Sequence, residues 1–116
     1  METLTAADRF AALGHETRLA IFRLLVQAGP EGLAAGAIGE TLGLAPATAS
    51  FHLAHLSRVG LIVGAPQGRF IYYAADFGGI DDLIAYLTEN CCQGGANCLP
   101  KTAKVNTTAL RRRRSA

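Results

Sequence analysis

The stretch Leu44–Leu61 constrains this chain more than any other. Gly43 and Leu44 close a preceding helix, Pro46 stands where the first turn of a helix tolerates proline, and Gly60 accepts the positive φ that ends one. About four turns of helix fit between those marks. Ala49, Leu53 and Leu56 recur at i, i+4 and i+7, the spacing of a core-facing stripe, while Thr48, His52 and His55 are expected on a separate polar face. A helix held by one face has the other free for a groove. Upstream, Ala35–Leu42 reads as a short helix ending in a glycine turn, so the pair forms a helix-turn-helix. Downstream, the strand-like runs Leu61–Gly64 and Arg69–Ala74 flank Ala65-Pro66-Gln67-Gly68, which is turn chemistry, and make a hairpin placed as a wing. The expected fold is mainly α with a small β-hairpin, a winged helix-turn-helix. Such an arrangement suits DNA, although the same elements can simply pack a small domain.

The flanking segments supply the rest of the domain. Met1 to Ala12 carries Leu4, Ala7, Phe10 and Ala11 at helical spacing, with Thr3 or Thr5 as the cap. Glu16 to Val26 has Leu19, Ile21, Phe22, Leu24, Leu25 and Val26 apolar nearly all round, which places it centrally, until Gly29-Pro30-Glu31-Gly32 breaks it. His15, at the start of that helix, reads as a cap or surface residue, and Leu33 as a short strand beside the wing. From Ile80, the residues Ile80, Leu83, Ile84 and Leu87 run i, i+3, i+4, i+7 on a last helix opened by Asp81 and Asp82. That stripe exceeds what one small winged domain needs to bury.

A chain of 116 residues is expected to form one domain, with no run of about 18 apolar residues for a membrane span and no signal-peptide pattern. The expected location is therefore cytoplasmic, where thiols stay reduced. The net charge of +2 hides a division: six of the eleven basic residues follow position 100, leaving an acidic body. Yet no Asp or Glu lies between Glu40 and Asp76, the span that holds the reading helix and wing, and Arg58 and Arg69 fall within it. Phosphate contact needs such a locally neutral or positive surface rather than a basic protein.

Three separated segments, His15–Leu25 (HETRLAIFRLL), Ala45–Leu53 (APATASFHL) and Arg58–Ile62 (RVGLI), resemble the ArsR/SmtB family of winged-helix repressors, which release DNA on binding a toxic metal or metalloid ion. The likeness covers about residues 4 to 92. It implies a homodimer formed through the first and last helices, with two reading helices meeting half-sites on double-stranded operator DNA. It also assigns DNA contact to Thr48, Ser50, Phe51 and His52. Ser50 lies off the Thr48/His52/His55 stripe and suits a phosphate, Phe51 suits either a thymine methyl or packing, and His55 suits phosphate or solvent. Gln67 and Arg69 on the wing fit phosphate or the minor groove, or serve only solubility. One departure stands at Ala45-Pro46, where the family often has serine and glutamine, so the contact made by that glutamine is lost here.

All three cysteines, Cys91, Cys92 and Cys98, fall within eight residues. Three are an odd number for a disulfide scaffold, which favours ligand or redox chemistry. Cys91 extends the apolar stripe and has a packing role open to it; Cys92 does not. Three thiolates with no interleaved histidine or carboxylate are soft-ligand chemistry, whereas zinc usually takes four ligands. A trivalent thiophilic ion bound by three sulfurs fits better: As(III) as inducer, with Sb(III) expected at the same site. The Cys-Cys-x5-Cys arrangement resembles an arsenite-sensing subgroup of the family, and on that resemblance Cys91, Cys92 and Cys98 are the metal ligands. Sensing of another thiophilic metal (Cd, Pb or Zn) or a thiol redox switch are the alternatives. Catalysis is not expected, since an arsenate-reducing Cys-x5-Arg loop would need arginine where Cys98 stands. The reading thus divides the chain into a DNA-binding and dimerisation domain (1–92), an inducer segment (91–98) and a disordered basic tail (99–116) ending in Arg111–Arg114, which adds non-specific DNA attraction or is merely solvated.

Overall fold

The computed structural model describes residues 1–94, and side chains as far as Cys92. Cys98 and the 99–116 tail lie outside the described residues. The elements run α1 (Thr3–Leu13), α2 (Glu16–Ala28), β1 (Leu33–Ala34), α3 (Ala35–Leu42), α4 (Pro46–Arg58), β2 (Ile62–Gln67), β3 (Phe70–Ala75) and α5 (Phe77–Thr88), followed by a 3-10 turn over Cys91–Gly94. Met1–Ile84 forms one compact unit, and the chain from Ala85 belongs to a second. No helix among the described residues is long and apolar enough to cross a membrane.

The first unit is a winged helix-turn-helix, as expected. Ile21 and Leu25 of α2, Ile38 of α3, Leu53 and Leu56 of α4, and Leu61 and Ile62 at the hairpin base are essentially sealed from water and form one cluster. Side chains of that size each contribute about 1.5–3 kcal/mol of hydrophobic stabilisation when fully buried. The expected all-round burial of α2 fails at Leu19 and Val26, which stay exposed, so only one side of that helix faces the core. The α1 cap also differs. Glu2 holds the N-cap position with no side-chain bond, and Thr3 and Thr5 lie inside the helix.

The three strands form an antiparallel sheet in the order β1-β3-β2. Leu33 pairs with Tyr73, which gives the short strand expected there. The hairpin differs from the expected one in register. Ala65, Pro66 and Gln67 continue β2, Gln67 pairs with Phe70, and the turn is Gly68-Arg69 alone. Gly68 sits at φ 64°, as a two-residue turn of primed type requires at its first position. Pro66 survives in β2 because that strand is the sheet edge, where its missing N–H breaks no ladder bond.

Helix α5 begins earlier than the Ile80 start read from its apolar stripe. The Asp76 carboxylate accepts from the Gly79 backbone N–H at 3.0 Å and caps the helix, so Asp81 and Asp82 fall in its interior rather than its first turn. Gly79 is required here for space, because a Cβ would collide with the Gly60 carbonyl oxygen. Arg9 of α1 completes the junction, donating through Nε to the Val59 carbonyl and through Nη1 to the Gly79 carbonyl, each at 2.8 Å.

Candidate nucleic-acid interface and thiol site

Helices α3 and α4 are terminated by the same device. Gly43 adopts φ 68° and Gly60 φ 85°; the Leu44 N–H donates to the Gly39 carbonyl at 2.8 Å and the Leu61 N–H to the Leu56 carbonyl at 3.0 Å. These six-to-one bonds satisfy carbonyls that a helix end leaves open. They also fix the length of α4 and the angle at which the wing leaves it. Pro46 opens α4 at its first turn, and Ala45 provides no side-chain cap. His55 and Arg58 sit in the last turn, where the Arg58 cation interacts favourably with the helix dipole.

The buried stripe of α4 is Ala49, His52, Leu53 and Leu56. Thr48, Ser50 and Phe51 face solvent, Phe51 with 65% of its surface exposed, and His55 is half-buried. On the wing, Gln67 and Arg69 are exposed, beside Phe70. The expected polar face is therefore corrected at His52, which is only 7% exposed. Its ring lies 4.8 Å from that of His15 and meets Phe51 edge-on at 5.3 Å. The Arg18 guanidinium approaches its Nδ1 at 3.4 Å, while Arg18 Nε donates to the Ala12 carbonyl at 2.8 Å. His15 caps α2 as expected, its Nδ1 accepting from the Thr17 N–H at 3.1 Å. Burial pushes the His52 pKa down, and His15, Arg18 and His55 add to the effect. His55 is lowered too, by burial first and then by Arg18 and Arg58, with Asp8 opposing.

Arg18 was invisible to sequence reasoning, since its partners lie on other segments. The burial of His52 was not: Ala49, His52, Leu53 and Leu56 fall at i, i+3, i+4, i+7, a complete core template with one polar member.

In the second unit, the helix ends at Thr88, before the cysteines, so Cys91 does not prolong its stripe. Cys91 is a free, half-buried thiol, and Cys92 is exposed and disulfide-bonded. Their Sγ atoms lie 3.8 Å apart. Two sulfurs sharing one ion at bonds of about 2.3 Å stand about 3.4–3.8 Å apart, so this spacing fits a common centre once Cys92 is reduced. Among the described residues no three His, Cys, Asp or Glu side chains group as a metal site; the third thiol expected there, Cys98, lies outside them.

An exposed reading helix seated on a three-helix core, with a short-turn hairpin behind it, defines a winged helix-turn-helix domain. Residues 13–65 match the family model described as a helix-turn-helix domain. The curated relative YceK of Bacillus subtilis (strain 168), an uncharacterised HTH-type transcriptional regulator, is 39% identical over 66 residues, which cover 57% of this chain and 65% of that protein. The chain therefore aligns with less than two thirds of that relative's length. Among solved structures, a possible transcriptional regulator for arsenical resistance is 25% identical with a TM-score of 0.62, over 69% of this chain and 80% of that one. The homodimeric winged helix-turn-helix DNA-binding domain of Mb0332 from Mycobacterium bovis, a possible ArsR-family transcriptional regulator, is 26% identical with a TM-score of 0.59, over 82% and 88%. The structural neighbours are thus ArsR-like winged-helix regulators.

Proposed function

We propose that this chain is a cytoplasmic transcriptional repressor of the ArsR type, which binds operator DNA as a homodimer and leaves it when As(III) is taken up by Cys91, Cys92 and Cys98. The observation that carries the DNA reading is the division of α4 into a sealed stripe and an exposed face bearing Thr48, Ser50 and Phe51. Hydroxyls there can donate to bases or phosphates, and Phe51 can meet a thymine methyl. Arg69 and Gln67 on the wing reach phosphate or the minor groove. His52 contributes from beneath rather than by touching DNA.

Dimerisation is supported by apolar surface that the single chain leaves open: Leu4 and Phe10 on α1 in one unit, and Leu87 on the last turns of α5 in the other. The homodimeric Mb0332 domain points the same way. For the inducer, the support is the chemistry of clustered thiols, the resemblance to arsenite sensors, and the arsenical-resistance regulator among the structural neighbours. Gathering three thiolates reshapes the segment that follows α5. Release follows if the ion prefers the DNA-incompetent form, and a hundredfold loss of affinity requires about 2.7 kcal/mol of coupling.

A thiol redox switch is the second reading, favoured by one observation: Cys92 is disulfide-bonded while the free Cys91 thiol waits 3.8 Å away, positioned for exchange. One titration separates the two. Reduced protein is held on a fluorescent duplex recovered by selection from a random pool, and arsenite or peroxide is added while anisotropy is followed. Release by arsenite from the parent but not from Cys92→Ser supports the sensor; release by peroxide alone, reversed by dithiothreitol, replaces it with the switch.

A further inference from the structure

We propose that His52 is a positioning residue for DNA reading: with His15 and Arg18 it forms a polar lock that sets α4 on α2 and holds only while the His52 imidazole is neutral. The inference rests on the proposed DNA reading and concerns how the exposed face of α4 is held for it.

The requirement for a neutral His52 ring follows from hydrogen-bond chemistry. Arginine has donors and no acceptor, so the Arg18 Nη1 contact at 3.4 Å requires a lone pair on His52 Nδ1. The Thr17 backbone N–H likewise donates to His15 Nδ1 at 3.1 Å, so that nitrogen also carries a lone pair. The His52 ring is then neutral with its proton on Nε2, and the two rings lie tilted at 41° with centroids 4.8 Å apart. Arg18 is not free to retreat, because its Nε is tied to the Ala12 carbonyl at 2.8 Å. Protonating His52 replaces an acceptor with a donor facing a fixed cation, in a site only 7% exposed.

Among the described residues no carboxylate acts on His52 to offset this. The groups acting on His52 are His15 and Arg18 from the α2 side and His55 from α4 itself, all disfavouring its charged form together with burial. Asp8 of α1 favours charge at His55, opposed by Arg18, Arg58 and His15. The one ionisable residue of α3, Glu40, is exposed, and β2 has none. Phe51 packs edge-on against the His52 ring, so a shift of that ring is passed directly to a side chain on the DNA-facing side.

The sign distinguishes this lock from an ordinary contact. A histidine that touches phosphate binds DNA more tightly as pH falls, since it gains charge. A neutral lock does the opposite.

The test measures affinity for the selected duplex at constant ionic strength, with reducing agent, from about pH 7.5 to about pH 5.5, the range in which histidines titrate. Parent protein is expected to lose about tenfold in affinity across that range while remaining folded by circular dichroism. His52→Asn places an amide oxygen near the Nδ1 position and cannot titrate; it should match the parent at neutral pH within about threefold and lose most of the pH dependence. His52→Phe keeps the ring without the acceptor and should bind about fivefold more weakly at neutral pH, comparable to one lost hydrogen bond. An affinity that is flat or rises on acidification, or a His52→Asn profile that tracks the parent, overturns the lock with DNA binding intact. Failure of the parent to select any duplex instead removes the DNA reading, and the inference falls with it.

Discussion

Replacing Arg9 with methionine should unfold this domain at markedly lower urea concentration, because one guanidinium ties together two carbonyls on separate helices. Arg9 Nε and Nη1 each donate at 2.8 Å, to Val59 at the end of α4 and to Gly79 in the first turn of α5. Hydrogen bonds from a charged donor are worth about 1.5–3 kcal/mol each; both of these are half-buried, so the lower end applies and the pair contributes about 3 kcal/mol. Methionine keeps much of the apolar stem, which leaves a net loss of about 2–3 kcal/mol. With a urea m-value of about 1.5–2 kcal/mol/M for a domain of this size, the midpoint should fall by about 1–2 M. Arg9→Lys retains the charge but reaches one carbonyl at a time, and should lose about half as much. Unfolding is followed by circular dichroism at one fixed protein concentration, since self-association would otherwise shift the midpoint. If Arg9→Met unfolds within about 0.5 kcal/mol of the parent, water serves both carbonyls equally well and the junction has been misjudged.

Three further outcomes follow from single residues. Gly32→Ala should destabilise by about 1–3 kcal/mol in the same urea assay, since Gly32 sits at φ 72° and a Cβ would strike the Tyr73 carbonyl. Ala45→Ser should stabilise by about 0.5–1 kcal/mol in thermal melts, because α4 starts without a side-chain cap and serine can accept from its first-turn N–H groups. The pKa of His52 is lowered on folding, so the folded state binds fewer protons than the unfolded chain just below the ordinary histidine pKa. Stability from this group is therefore complete above about pH 6.5 and declines as pH falls below it, and His52→Asn should flatten that part of a stability-versus-pH curve.

Much of the fold was readable because its punctuation is local. Gly43 and Gly60 adopt the left-handed geometry expected of them, and α3 has the residue range its sequence pattern suggested. Pro46 marks the start of α4 for an equally local reason. Errors arose where a residue has two uses and only its neighbours decide. Pro66 is turn chemistry in isolation, but the edge position of β2 lets it stay in a strand. Phe77-Gly78-Gly79 has poor helix propensity, yet Asp76 caps it, and the tight approach to Gly60 excludes any larger side chain at Gly79. Asp76, three residues before Gly79, is a cap signal that the sequence carries alongside Asp81 and Asp82. The residue type of His52 points to the polar face, while its spacing is that of the core. Arg9 and Arg18 act across long sequence separations, for which a single sequence holds no signal.

The central claim, that the exposed face of α4 and the wing read DNA, is tested most directly by measuring the selected duplex against Thr48→Ala, Phe51→Ala and Arg69→Ala, each over a range of salt. The α4 variants should lose about 1–3 kcal/mol of preference for the selected over a scrambled duplex with the salt slope unchanged, and Arg69→Ala should weaken both duplexes alike while lowering the slope by about one. Parental affinity, preference and slope in all three variants would contradict the account.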